Sequence, residues 1–220
     1  MKSRRKIIKS FVFIGLVFAF TLSLVSQLGA KNLKGEYAVV GEATCRTHWL
    51  VNPSGGTTST YFVHSASAQG TVTFNGDGTG SGQISSVHVT HPIYTPIPMG
   101  PYWNWSPWPD PFPTSILGGT STSDVVFQFI YTVSPNGAIT RTITALQGTF
   151  TSGPNAGKTF TQTPFTLTGF VSKDKGTILL SSVPGQAEIL TTNIYNEDGS
   201  SYGTEEQECH RSRVLTLISK

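Results

Sequence analysis

Two stretches decide the fold: "GEATCRTH" (residues 41–48) and "EEQECHRSRV" (residues 205–214), each built around one of the chain's two cysteines. If Cys45 and Cys209 face each other across an antiparallel ladder, the pairing of every neighbour follows. Arg46 then falls opposite Glu208 and His48 opposite Glu206, while His210 faces Thr44. On the other face Gly41 meets Arg213, Ala43 meets Arg211, Val39 meets Leu215 and Tyr37 meets Leu217. Opposite charges thus share one side, and on the other the smallest residues lie across from the longest side chains, as cross-strand packing requires. A first strand lying beside the last is also the closure condition of a barrel, which favours a barrel over a two-sheet sandwich.

The compartment that would permit this bond is read from the other end of the chain. "MKSRRKIIK" (1–9) is basic, "FVFIGLVFAFTLSLV" (11–25) is apolar, and Gly29 and Ala30 are small, the order expected of a secretory signal. Residues 1–30 are read as a signal peptide that is removed, with a retained N-terminal anchor as the second reading. Either way the remainder is extracytoplasmic, secreted or periplasmic, where a Cys45–Cys209 disulfide is favoured over two buried thiols.

The formal charge of +3 conceals a bias, because five of the fifteen Lys and Arg precede residue 10 and no acid does. Without residues 1–30 the balance is ten basic to twelve acidic side chains. No basic stripe remains to neutralise phosphates, so no nucleic-acid partner is expected.

Residues 31–220 read as one all-β domain. Apolar residues alternate in "TVTF" (71–74), "VVFQFIYTV" (125–133), "AITRTIT" (138–144), "FTLTGFV" (165–171), "TILLSSV" (177–183) and "EILTTNIYN" (188–196). Period two marks half-buried strands. "NGDG" (75–78), "SPNG" (134–137), "KDKG" (173–176) and "NEDGS" (196–200) are tight-turn sequences between them. Short turns make consecutive strands antiparallel neighbours, so the expected architecture is an up-and-down meander of eight to ten strands closed into a barrel.

"NLKGEYAVVG" (32–41), the meander, and arginines on a returning last strand together resemble the calycin (lipocalin-like) superfamily. The superfamily's glycine, any residue, tryptophan pattern becomes Gly35, Glu36, Tyr37, with tyrosine in place of tryptophan. The resemblance implies a barrel that takes ligands through its mouth, and Arg211 or Arg213 packed over the first-strand aromatic. "LKGEYAVVGEATC", "GTVTFNGDGTGSG" and "ECHRSRVL" are also similar to a group of exported bacterial proteins with no assigned activity.

Other motifs take plain readings. "GPNAGKT" (153–159) is one residue short of a P-loop and is followed by a strand-like segment. "NGDGTG" (75–80) has Ser86 where a calcium loop needs a bidentate glutamate, and reads as a hairpin turn. His88 and His91 are three apart and point to opposite faces of a continuous strand, so no metal is expected. No cofactor and no catalytic residue is assigned: there is no G-x-S-x-G elbow, and the strand acids Glu42, Asp124 and Glu188 cannot be placed inside or outside without a register.

Function is sought in two places. Residues 91–122 form a long connection containing eight of the thirteen prolines, and within it "GPYWNWSPWPDPFP" (100–113) gathers Tyr102, Trp103, Trp105 and Trp108. Prolines hold such aromatics in extended pieces, and so much aromatic surface needs a partner: the barrel mouth, a ligand or glycan, or a membrane or protein. The second place is the interior, where Arg211 and Arg213 would need Glu188, carbonyls or a ligand's acid, and where Phe127 and Phe129 would line a cavity. The expectation is an exported barrel that binds a small apolar or amphipathic molecule through Tyr102, Trp103, Trp105, Trp108, Phe127, Phe129, Arg211 and Arg213. The alternatives are an envelope interaction protein that docks through the tryptophan-rich loop, and an enzyme of unassigned class.

Overall fold

Alternating apolar residues build ten strands in the computed structural model, which describes residues 33–51, 61–91 and 119–220. In chain order they are β1 (Lys34–Val51), β2 (Tyr61–Asn75), β3 (Thr79–His91), β4 (Thr120–Val133), β5 (Ala138–Phe150), β6 (Thr159–Gln162), β7 (Phe165–Val171), β8 (Thr177–Ser182), β9 (Glu188–Tyr195) and β10 (Ser201–Ser219). The described residues contain no helix. The expected signal peptide and the aromatic stretch 100–113 lie outside the described residues.

All pairings are antiparallel, and the order β1-β2-β3-β4-β5-β6-β9-β10 returns to β1. β7 and β8 complete the same ring at its other level, because β5 pairs with β6 through Gln147 and Thr161 and, in unbroken register, with β7 through Ile143 and Phe165. β6 and β7 are therefore one stave interrupted at Thr163–Pro164, where the proline has no N–H to give to a ladder. β8 and β9 are likewise one stave, interrupted between Ser182 and Glu188 by a turn in which Gln186 N–H donates to Val183 O at 3.0 Å. Ten strands thus make eight staves, an up-and-down ring without a free edge.

The staves are steeply staggered. Ladder pairings lead from Ala38 through Thr71, Gln83, Val126, Gln147, Thr161, Asn193 and Thr204 back to Val51, thirteen residues further along the strand where the circuit began. Large stagger tilts the strands and widens the bore, which leaves room inside an eight-stave ring.

The β1–β10 register is the expected one throughout its centre: Cys45 opposite Cys209, Arg46 opposite Glu208, Ala43 opposite Arg211, Gly41 opposite Arg213 and Tyr37 opposite Leu217. The cysteines form a disulfide closing a separation of 164 residues. One expectation drawn from the superfamily resemblance is corrected by this register. Tyr37 lies four positions beyond Arg213 along the ladder, so neither arginine covers it; its ring meets Phe74 edge-on at 5.3 Å and its hydroxyl donates to Lys175 O at 2.8 Å.

Phenylalanines and aliphatics fill the lower bore. Phe74 meets Phe129 and Tyr131 edge-on at 5.1 and 4.9 Å, and Tyr131 Oη donates to Leu33 O at 2.5 Å, closing the floor. Short turns cap this end at residues 76–78, 134–137 and 172–176. At the opposite end the chain leaves β3 at His91 and re-enters at Gly119.

Candidate functional site

A cavity of about 360 Å³ lies inside the ring above the aromatic floor. Its wall has an apolar belt that includes Val39, Ile84, Val125, Phe127, Ile143 and Phe160, a group of three arginines, and a polar region toward the open end. Each inward position follows from strand alternation: on β4 the buried residues are Ser123, Val125, Phe127, Phe129 and Tyr131.

The arginines differ in how they are satisfied. Arg211 sits where the β8–β9 stave is broken, beside Ser182 and Glu188. Its backbone N–H donates to Ser182 Oγ at 2.7 Å, Ser182 Oγ donates to Glu188 Oε1 at 2.6 Å, and its guanidinium is ion-paired with Glu188 Oε2 and stacked on Phe165 at 4.5 Å. The interrupted ladder is thus repaired by side chains, as a buried N–H requires. Arg213 reaches back over Gly41, donating to Glu42 O at 2.7 Å and Ser212 O at 2.8 Å. Burial and the Arg211 charge press its pKa down to about 10.

Arg141 is the exception. It lies on β5 between Ile139 and Ile143, is 3% exposed, and its Nε and Nη1 have no hydrogen-bond partner among the described residues. Its guanidinium rests over Phe129 and Phe127, 5.3 and 5.9 Å from the ring centroids. Burial, reinforced by Arg213, pulls its pKa down to about 9. Of these three guanidiniums, Arg211 alone has a carboxyl partner, Glu188, among the described residues. A buried charge without hydrogen bonds is expensive and invites an anion.

The polar region is built from hydroxyls, two histidines and one carboxyl. Ser86, Ser123 and His88 Nε2 form a triangle with sides of 2.8, 3.0 and 3.2 Å, and His64 Nδ1 is hydrogen-bonded to the buried Thr47 Oγ1 at 3.2 Å. Burial lowers both histidines, His64 to about 4, with positive neighbours adding to the effect, so both are neutral near pH 7. Across the bore Glu205 accepts from Gln207 Nε2 at 3.2 Å, Gln207 Oε1 accepts from Gln162 Nε2 at 3.3 Å, and burial lifts the Glu205 carboxyl to about 7. The cavity histidines are hydrogen-bonded to hydroxyls. No cluster of three potential metal ligands occurs among the described residues.

Of the residues expected at the site, Phe127, Arg211 and Arg213 line the cavity. Phe129 lies beneath it, packed on Phe74 and Tyr131. Tyr102, Trp103, Trp105 and Trp108 lie outside the described residues. His91 points outward to Ser65 Oγ at 3.0 Å while His88 points inward, and of the three strand acids Glu188 alone faces the bore; Glu42 and Asp124 are exposed. Arg141, His64 and Glu205 were not singled out from the sequence. Alternation puts Arg141 on the face of Ile139 and Ile143 and Glu205 on the face of Cys209, whereas His64 is placed by the β1–β2 register, which pairs it with Cys45.

No protein-family profile matches the sequence, and no curated protein matches it. A solved structure, DynF from the dynemicin biosynthesis pathway of Micromonospora chersina, is similar at a TM-score of 0.42 and 9% identity, over 87% of this chain and 84% of that one.

Proposed function

We propose that this protein is an exported barrel that binds a small apolar or amphipathic molecule in its bore. The observation that carries the reading is the cavity itself: about 360 Å³, walled by apolar side chains with a few convergent polar groups, within the range of small-molecule sites. A buried disulfide is consistent with the extracytoplasmic location. The site opens toward the end at which β3 stops and β4 begins, where Thr90, Gly119 and Thr120 line it.

The test is native mass spectrometry of protein purified from its own host, with titration of the uncharged fluorophore N-phenyl-1-naphthylamine as a probe of the bore. Co-purified small-molecule mass, or saturable fluorescence enhancement that Val125→Trp abolishes, supports the reading. A protein that carries no ligand and leaves the probe dark is not a carrier.

A second reading, an envelope protein that docks on a partner, glycan or membrane, is supported by a row of exposed apolar residues on the outer wall. Phe170, Leu179, Val214 and Val40 are paired neighbours across β7, β8, β10 and β1. Under that reading tryptophan fluorescence shifts on adding anionic vesicles or envelope fractions while the bore stays empty.

A further inference from the structure

Among the described residues, Arg141 is the cavity side chain with buried nitrogens, Nε and Nη1, that have no hydrogen-bond partner. The other two arginines have defined partners: Glu188 for Arg211, and the carbonyls of Glu42 and Ser212 for Arg213. Arg141 has aromatic rings against its face and two nitrogens without a partner, in a site it lines. A ring face compensates a guanidinium only in part, since it accepts no N–H bond.

Its surroundings restrict what could complete it. Glu188 is engaged by Arg211 and by Ser182, and the carboxyl on the cavity wall, Glu205, is held by Gln207 in the polar region. The Arg141 guanidinium rests over Phe127 and Phe129, with Arg213 as a second positive charge nearby, so whatever bonds to it also meets apolar surface close to its charge. A free inorganic anion would satisfy the charge and leave that belt bare. A small acid on an apolar body satisfies both.

We infer that the molecule held in the bore is a singly charged acid, a carboxylate on an aromatic or aliphatic body, with its acid group bound by Arg141 at the inner end of the cavity. The inference rests on the ligand-binding reading above. A carboxylate suits the guanidinium because its two oxygens take two parallel N–H donors while the rest of the molecule stays apolar. The apolar body then lies against Phe127, Val125 and Phe160, and its far end reaches the hydroxyl and amide groups of Ser86, Ser123, Gln162 and Gln207, where a polar substituent can be accommodated. Burial and the Arg213 charge lower the Arg141 pKa to about 9, and a bound anion would raise it again.

The experiment uses matched pairs differing only in the acid. Decanoate and decanamide are titrated as competitors of N-phenyl-1-naphthylamine against the full chain, its R141M variant and its R141K variant. The wild type is expected to prefer the acid over the amide by roughly 10- to 100-fold, the discrimination typical of a hydrogen-bonded charge partner. R141M is expected to bind both competitors alike while still binding the uncharged probe, and R141K to fall between. Equal displacement by acid and amide in the wild type overturns the role of Arg141 and leaves the barrel reading standing. A wild-type bore that never binds the probe overturns the barrel reading itself. Retention of acid preference in R141M also overturns the inference, and retained probe binding in R141K distinguishes loss of the site from loss of the fold.

Discussion

The guanidinium of Arg141 lies 5.3 Å above the ring of Phe129, and no carboxylate completes it among the described residues. A structural arginine at this depth would be paired, as Arg211 is with Glu188. Replacing an isolated buried charge by a hydrophobic side chain of similar volume removes a desolvation penalty. R141M is therefore expected to raise the stability of the ligand-free protein by about 1–4 kcal/mol in urea unfolding. A loss of more than about 2 kcal/mol would mean that the cation–π stack and packing of the side chain hold the floor together.

Two glycines on β3 mark where the cavity can be filled. Gly80 lies opposite Phe129 and Gly82 opposite Phe127, and a methyl group on either would overlap the facing ring. At Gly82 the nearest obstruction is the Phe127 ring, which borders the cavity and can swing into it. At Gly80 the methyl also meets Thr73 O, and Phe129 is wedged between Phe74 and Tyr131. G80A is expected to cost about 2–3 kcal/mol, as overpacking of a filled core does, and G82A about 1 kcal/mol with a marked loss of probe affinity. Equal destabilisation by the two, with binding unchanged, would show that Phe127 does not border the binding space.

Glu205 and His64 bias stability in opposite directions over the same pH range. With its folded pKa at about 7 against 4.5 unfolded, the native state holds a Glu205 proton that the unfolded chain has released, so stability falls as pH rises through that interval. His64, at about 4 against 6.5, is neutral in the native state while the unfolded chain is protonated, so stability rises with pH from about 4 to 6.5. Each effect is on the order of 3 kcal/mol, and together they flatten the wild-type curve. E205Q should stabilise the protein at pH 8 and leave it unchanged at pH 4, exposing the histidine's upward slope between them. A stability gain in E205Q that is the same at both pH values would mean that Glu205 is not titrating in this window.

How much of this was legible in the sequence depends on the distance over which the pattern acts. The β1–β10 register could be written down because a single disulfide hypothesis fixes all its partners, and charge and size then agree on both faces. Arg141 was obscured by its own strand: "AITRTIT" shows it inward by alternation, but only the closed ring shows that the facing staves bring no carboxylate to it. Alternation itself fails at Thr144 and Ala145, both exposed, where the β4–β5 register slips between Gln128 and Phe129. Beyond that bulge the inward residues of β5 become Leu146, Gly148 and Phe150, a phase change that a period-two reading cannot carry. Glu205 sits in an acidic run whose exposed members, such as Glu208, suggest a solvated surface; the alternation from Cys209 singles it out.

The Cys45–Cys209 bond sets the final expectation, because it ties the first stave to the last. Closing a loop of 164 residues restricts the unfolded chain by about 5 kcal/mol in the chain-entropy description. The two sulfurs also stand at the level of the polar region, beside Ala43 and Leu190 and across from His64. The double variant C45S/C209S removes the constraint and places two hydroxyls in that pocket, so it is expected to melt lower by on the order of 10–20 °C while retaining its strand content by circular dichroism. The β1–β10 ladder has backbone pairings along nearly its whole length besides the bond, so closure should survive in the native state. If instead the variant loses its β-sheet signal at low temperature, the ring is held shut by the sulfur bridge, and stave pairing between the termini is too weak to close it alone. If melting is unchanged on reduction of the wild type, the unfolded chain must already keep its ends together, and the entropic account of this bond fails.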